Sequence, residues 1–266
     1  KLENKPGSAE LVRGDVADPA AVAHAIAGAA GIFHLAAIAS VERGNRDWLG
    51  THRANLTGTV AILDAARAAG RLPVVYASSA AVYGDNPEVP LAESAATRPL
   101  SAYGADKLGS ELHARVAWHV HGVPTVGFRF FNVFGPRQDP ASPYSGVISI
   151  FCDRLKAGQG ITIFGDGEQT RDFVYVGDVV RGLLAAMERL PAEETVFNLC
   201  TGRSTSVLQL AQTIGELCGR TPEITFAPPR AGEIRVSLGD AAAAQKHLGW
   251  TATVGLKDGL AKTLDG

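Results

Sequence analysis

Tyr103 and Lys107 stand four residues apart in Tyr103-Gly104-Ala105-Asp106-Lys107, and the doublet Ser78-Ser79 ends 24 residues before that tyrosine. On a helix this spacing puts the phenol and the amine on one face, a turn apart. An ammonium beside a phenol favours the phenolate, which lowers its pKa and makes a proton acceptor usable near neutral pH. Taking a hydroxyl proton is half of oxidising an alcohol; the other half is a hydride acceptor. A Tyr and a Lys fall at this spacing by chance in roughly one chain of this composition in eight. The surrounding residues therefore decide what the pair means.

The elements that must hold these groups can be read from local signals. Glu10–Asp15 reads as a strand and its exit, and Pro19–Ala30 as a helix with Asp18 as N-cap and Pro in the first turn. Gly31–Ala37 reads as a buried strand, Arg53–Ala69 as a long helix closed by Gly70, and Leu72–Ser79 as the next strand. Ala102–His121 is a further helix ended by Gly122, and Val123–Phe134 a strand with its exit. Strands alternating with helices imply a parallel sheet covered on both faces, whose ligands gather at the carboxyl ends of the strands. Asp15, Ala36-Ala37, Ser78-Ser79 and Asn132 all fall at such ends. The second half is richer in Gly, Pro and charged loops and reads as a smaller α+β region, with Pro136 and Pro228-Pro229 at loop corners.

Bulk composition narrows the partners. With 266 residues, 46% of them hydrophobic, and a net charge of −2, the chain can bury a large core and carries no basic field for nucleic acid or anionic membrane. Cys152, Cys200 and Cys218 are odd in number and lack C-x-x-C spacing, so they read as reduced thiols of a cytoplasmic protein, not as disulfides or a metal site. His119 and His121 lie on different sides of a helix, which argues against a metal there. No apolar run approaches membrane-spanning length, and no signal peptide opens the chain.

Taken together, the motifs resemble the extended short-chain dehydrogenase/reductase superfamily, and within it the UDP-sugar 4-epimerases. The matching stretches are G-D-V (14–16), H-L-A-A (34–37), N-L-T-G-T (55–59), S-S-A-A-V-Y-G (78–84), Y-G-A-D-K (103–107) and R-F-F-N-V-F-G-P-R (129–137). They continue in order with I-F-G-D-G-E-Q-T-R-D-F-V-Y-V-G-D-V (163–179) and R-A-G-E-I-R-V-S-L-G-D (230–240). The resemblance implies an α/β, Rossmann-type doubly wound sheet with a smaller substrate-binding domain. Residues 1–134, with about 172–200 returning, would form the NAD-binding part, and 135–171 with 201–266 the nucleotide-sugar part. It also implies NAD as cofactor, NAD rather than NADP on the resemblance alone, and a homodimer built on the helices at 53–69 and 102–121. About 40–45 residues carrying a glycine-rich phosphate loop are implied ahead of Lys1, because no G-x-x-G-x-x-G precedes Asp15.

Site roles follow from the same resemblance. Tyr103 would be the acid/base, Lys107 would hold the nicotinamide ribose, and Ser79 would hydrogen-bond the reacting sugar hydroxyl, with Ser78 as its alternate. Asp15 and Val16 would meet the adenine; Leu35, Ala36, Ala37, Asn55, Ala77, Ser78 and Phe130 would border the cofactor. Asn132 and the amides near Val147 and Ile148 would take the pyrophosphate. Thr162 and Phe164 would line the uracil, Arg171 and Arg230 would clamp the diphosphate, and Glu233 would hold the uridine ribose. Ala39, Ser40 and Gln138 would border the sugar. Ser237 matches a position where a bulky aromatic restricts the pocket to plain hexoses, so a serine there implies room for a 2-N-acetyl group.

The residues after Ser79 are Ala80 and Ala81. Related dehydratases and decarboxylases carry a carboxylate there, so the alanines favour epimerisation through a 4-keto sugar. A nucleotide-sugar reductase, dehydrogenase or dehydratase of the same superfamily and a non-catalytic NAD(P) sensor are the competing readings.

Overall fold

The strand over residues 74–79 alternates its side chains between two different cores, and the whole fold follows from that alternation. The computed structural model describes residues 6–139, 146–193, 195–230 and 234–265. Its first half runs α1 (Pro19–Ala25), β1 (Ile32–His34), α2 (Val41–Arg46), α3 (Trp48–His52), a π-helical stretch (Arg53–Thr57), α4 (Gly58–Ala68) and β2 (Val74–Ser79). A 3-10 turn (Ala80–Tyr83), α5 (Ala102–His121), β3 (Thr125–Phe130) and β4 (Asn132–Phe134) come next. The second half runs α6 (Val147–Lys156), β5 (Ile161–Phe164), β6 (Thr170–Arg171), β7 (Phe173–Tyr175), α7 (Val176–Glu188), β8 (Thr195–Leu199) and β9 (Thr205–Ser206). It closes with α8 (Val207–Leu217), β10 (Ile224–Ala227), α9 (Ala242–Leu248) and α10 (Leu256–Asp265).

β1, β2, β3 and β8 form one sheet in that order, all neighbours parallel. Val74 and Tyr76 of β2 pack with Val22, Ile62, Ala66 and Ala114 of α1, α4 and α5, whereas Val75 packs with Phe128, Phe197, Val179, Leu183 and Trp250 on the other face. A two-residue period thus serves two buried faces, as parallel sheets require. A separate core under the second half joins Phe151 and Leu155 of α6, Ile161 and Ile163 of β5, Leu210 and Ile214 of α8, and Leu260 of α10.

Several expected boundaries move. Residues 10–15 belong to no strand among the described residues, because no neighbouring strand forms a ladder with them. The first helix ends at Ala25, not Ala30. The expected 53–69 helix opens on a π-helical stretch, and the 123–134 strand is two strands broken at Phe131. α5 is as expected: Ser101 caps it through the Gly104 amide, and Gly122 ends it in the left-handed region at φ 66°, which glycine enters without a Cβ penalty. The three cysteines are free thiols, and no described helix is long and apolar enough to cross a membrane.

Candidate active site

β2 delivers Ser79 at its carboxyl end, and the 3-10 turn that follows is capped by that serine, whose Oγ accepts from the Ala81 amide at 3.1 Å. α5 brings Tyr103 alongside. Gly104 permits this approach, since a Cβ there would lie 2.7 Å from the Ala81 carbonyl oxygen. Tyr103 is thereby held against the turn that Ser79 caps: burial pushes its phenol above the ordinary value, and the Ser79 side chain offsets a smaller part of that rise.

Lys107, one helical turn on, is buried at 2% exposure. Its amine donates to the Ala77 carbonyl at 2.7 Å and sits 5.9 Å from the Tyr103 ring centroid. Burial lowers its pKa to about 8, against a smaller opposing effect of Asp106. The expectation that Lys107 lowers the phenol's pKa is therefore corrected: in this structure burial dominates the phenol, and one donor of the amine goes to β2 through Ala77. His34, hydrogen-bonded to Thr59 at 3.0 Å, is held down to about 4 by burial and then by the Lys107 charge. It stays a neutral imidazole behind the site.

Several cofactor expectations fall on the exposed segment after β1. Leu35 is 49% exposed and Ala36 is exposed beside it, an apolar floor with little side chain to obstruct a flat ring. Asp15 is exposed, with Oδ1 accepting from Ala17 N, and Val16 packs towards Gly58. Of the three donors on Lys107 one is used, on Ala77, among the described residues; two unspent donors on a buried ammonium suit a pair of ribose hydroxyls. Apolar floor, exposed carboxylate and unspent donors together fit a dinucleotide. Phe130 is half-buried on β3.

Two other residues are claimed by the fold. Asn55 is buried, its side chain accepting from Ile38 N at 2.7 Å and donating to Ile38 O at 3.2 Å, so one donor and one acceptor position of its carboxamide shape the loop after β1. Ser78 is buried too, and its hydroxyl donates to Glu111 Oε1 at 2.5 Å. That removes it as an alternate to Ser79.

The substrate-side residues separate into three groups. Thr162 and Phe164 lie on β5, and the Arg230 guanidinium stacks over the Phe164 ring at 4.1 Å. Beside them is a cavity of about 720 Å³, lined among others by Gly165, Phe226, Pro229, Arg230 and Arg235. Val147 and Ile148 open α6, whose N-cap Gly146 provides no side-chain cap; the first-turn amides are thus available to an anion. Gln138 lies near that end, and its buried Oε1 has no hydrogen-bond partner among the described residues. Asn132 is exposed at the start of β4, and its amide donates to Asp172 O. Ser237 donates its amide to the Thr170 carbonyl at 3.1 Å, next to Arg171. Ala39 is exposed, but Ser40 is buried and caps α2 through Arg43 N, which takes it out of the expected sugar contacts. Glu233 lies outside the described residues.

Residues that sequence reasoning missed include Phe226 and Arg235, which wall the cavity, and Asp172. The buried Asp172 carboxylate accepts from Thr201 N and Oγ1 and from Gly202 N, at 2.7 to 2.9 Å. It thereby ties the loop after β8 to the strand carrying Arg171. Its pattern, an acid flanked by Arg and Phe, is visible in the sequence; its partners, about thirty residues away in loops without regular spacing, are not.

Comparison with known proteins bears on this arrangement. Residues 1–200 match the profile of the NAD dependent epimerase/dehydratase family. The chain is 39% identical over 235 residues to a UDP-glucose 4-epimerase of Mycolicibacterium smegmatis, a match covering 88% of this chain and 74% of that protein. Its fold superposes with a TM-score of 0.96 on a crystal structure of UDP-glucose 4-epimerase with UDP-glucose from Thermotoga maritima, at 35% identity, covering all of this chain and 86% of that one. The corresponding values are 0.94, 31%, 100% and 86% for a UDP-N-acetylglucosamine 4-epimerase from Methanobrevibacter ruminantium in complex with UDP-N-acetylmuramic acid.

Proposed function

Because the chain belongs to the NAD dependent epimerase/dehydratase family, we propose that its Ser79–Tyr103–Lys107 group inverts the 4-hydroxyl of a UDP-sugar, with NAD as a resident cofactor. The observation that carries this reading is the packing of the first turn of α5, which bears Tyr103, against the turn capped by Ser79, with the Lys107 amine one helical turn on bound to the end of β2. When bound, NAD would supply reversible two-electron acceptance from the sugar C4.

The chain's own residues do the rest. Tyr103 takes the 4-hydroxyl proton as the 4-keto sugar forms and returns it when the other face is reduced, so one group serves as base and then acid. A phenol that burial raises stays protonated near neutral pH, so it can take a proton only once its pKa is lowered towards that range. Ser79 Oγ orients the sugar hydroxyl. Lys107 offers its two unspent donors to ribose hydroxyls and holds the end of β2 through Ala77. Ala80 and Ala81 place no carboxylate beside the sugar, which favours epimerisation over dehydration. Phe164 and Thr162 would receive the uracil, Arg171 and Arg230 the diphosphate, and the α6 amides would add to that clamp.

The test is conversion of UDP-glucose or UDP-N-acetylglucosamine to its 4-epimer by the purified protein supplied with NAD, with no net change in nicotinamide absorbance. Stoichiometric absorbance change would make it a dehydrogenase or reductase instead. Ser237, small and beside Arg171, leaves room for a 2-N-acetyl group. Ser237→Tyr is expected to cut kcat/KM for the N-acetylated pair about a hundredfold more than for the plain pair, measured on both; equal losses would refute the pocket-size assignment.

The partner in a homodimer would be a second copy seated on Leu112, Val116 and Val120 of α5 with Val60 of α4, a stripe between 36% and 69% exposed. Four-residue spacing puts the α5 members on one face. Sedimentation of the protein as a monomer at micromolar concentration would end that reading. The three free thiols suit a reducing, cytoplasmic location.

A further inference from the structure

A buried polar belt crosses the sheet directly behind the catalytic group. Ser78 of β2, Arg129 of β3 and Asn198 of β8 occupy one row, since Ser78 pairs in register with Arg129 and Arg129 with Asn198. Glu111 reaches this row from α5, eight residues after Tyr103 and four after Lys107, on the same helical face. Its carboxylate takes both forks of Arg129 at 2.9 and 2.7 Å, as well as the Ser78 hydroxyl at 2.5 Å. Arg129 also donates to the Tyr83 hydroxyl at 2.8 Å, and Tyr83 donates to Asn198 Oδ1 at 2.8 Å. Every member is at most 6% exposed.

A buried ion pair contributes little net stability over an apolar replacement of equal volume, because desolvation offsets the attraction. A bidentate fork does supply what an apolar contact lacks, a fixed separation and orientation of the two elements it joins. Here those elements are α5, which carries Tyr103 and Lys107, and the β2–β3 pair, which carries Ser79. Tyr83 extends the hold to the turn that Ser79 caps.

We propose that Glu111 is a positioning residue: through Ser78 and Arg129 it sets the slide of α5 along β2, and thereby the seat of Tyr103 against Ser79. This rests on the epimerase reading above. Turnover by the parent protein reports on that reading, whereas variant-to-parent ratios and a tyrosine titration report on Glu111.

The experiment compares the parent with Glu111→Gln, with Glu111→Gln combined with Arg129→Met, and with Ser78→Ala. Measured are kcat, KM for the UDP-sugar, Tm, and the titration of ring-labelled Tyr103 by NMR without substrate. Glu111→Gln is expected to lower kcat about tenfold or more, since displacement by about 1 Å costs that much, with KM within about twofold. The Tyr103 titration should fall towards the ordinary tyrosine range. The double variant, free of an unpaired buried charge, is expected to regain Tm without regaining kcat. Ser78→Ala, which leaves the ion pair whole, should lower kcat about threefold with a smaller loss of Tm than Glu111→Gln. Recovery of kcat together with Tm in the double variant would make the pair merely structural and overturn the proposal. So would parent-level kcat and an unmoved Tyr103 titration in Ser78→Ala, which decides alone if the Glu111 variants fail to fold.

Discussion

Tyr103→Phe is expected to lower kcat by about a thousandfold, the range in which a positioned acid/base contributes. The variant keeps the ring and the packing of α5 and loses one hydroxyl. KM for the UDP-sugar should change little, because the proposed clamp of Arg171 and Arg230 lies in the other half of the molecule. The residual rate should also lose its dependence on pH in the alkaline range, since the group lost is a phenol that burial raises. Initial rates across that range for parent and variant provide the check. Turnover unchanged in Tyr103→Phe would remove the phenol from the mechanism altogether.

Lys107→Met is expected to move activity and stability in opposite directions. The amine is buried at 2% exposure with one hydrogen bond, to Ala77 O. Its pKa falls from 10.5 to about 8 because burial penalises the charge. The fold therefore binds this proton less tightly than the unfolded chain does. The cost is full below about pH 8 and is relieved as pH climbs towards 10.5, so stability from this group rises with pH through that window. A shift of this size corresponds to about 3 kcal/mol. Part of this is regained when an apolar chain of similar length replaces the lysine, giving about 2 kcal/mol after loss of the Ala77 bond, or a Tm higher by about 5 °C. The advantage of the variant should be largest near neutral pH and shrink in alkali, as urea midpoints at the two pH values would show. Turnover should drop about a hundredfold, because the ribose anchor is gone. A variant that is less stable at neutral pH would contradict the burial argument.

Much of this was legible before any coordinates. The ends of α5 follow from Ser101 and Gly122, whose capping chemistry is local, and the Ser79–Tyr103–Lys107 group follows from an ordered set of short motifs. The direction of the Tyr103 shift was not legible, because burial sets it, and how deep the phenol sits is decided by the packing of α5 on the turn after β2. Asn55, Ser40 and Ser78 sit in site-like motifs yet spend their polar atoms on the fold; a motif carries no record of a side chain's partner. Glu111 and Asp172 were missed for the same reason. Their partners arrive through strand register and loop closure, which local spacing does not encode. Residues 10–15 have strand-like composition and no ladder, since β-structure is a property of neighbours.

The stacking of Arg230 on Phe164 bears on how nucleotide affinity is to be interpreted. On the proposed assignments the ring that would receive the uracil already has an occupant, supplied by the residue meant for the diphosphate. Nucleotide entry is then an exchange: the guanidinium leaves one attractive partner as it gains another. The measured Kd would report the difference between the two contacts, and shortening Arg230 would remove a competitor and an ally at once. A small change in affinity in such a variant is therefore compatible with a strong phosphate contact, whereas uridine alone, which has no phosphate to recruit the arginine, should bind better when the competitor is gone.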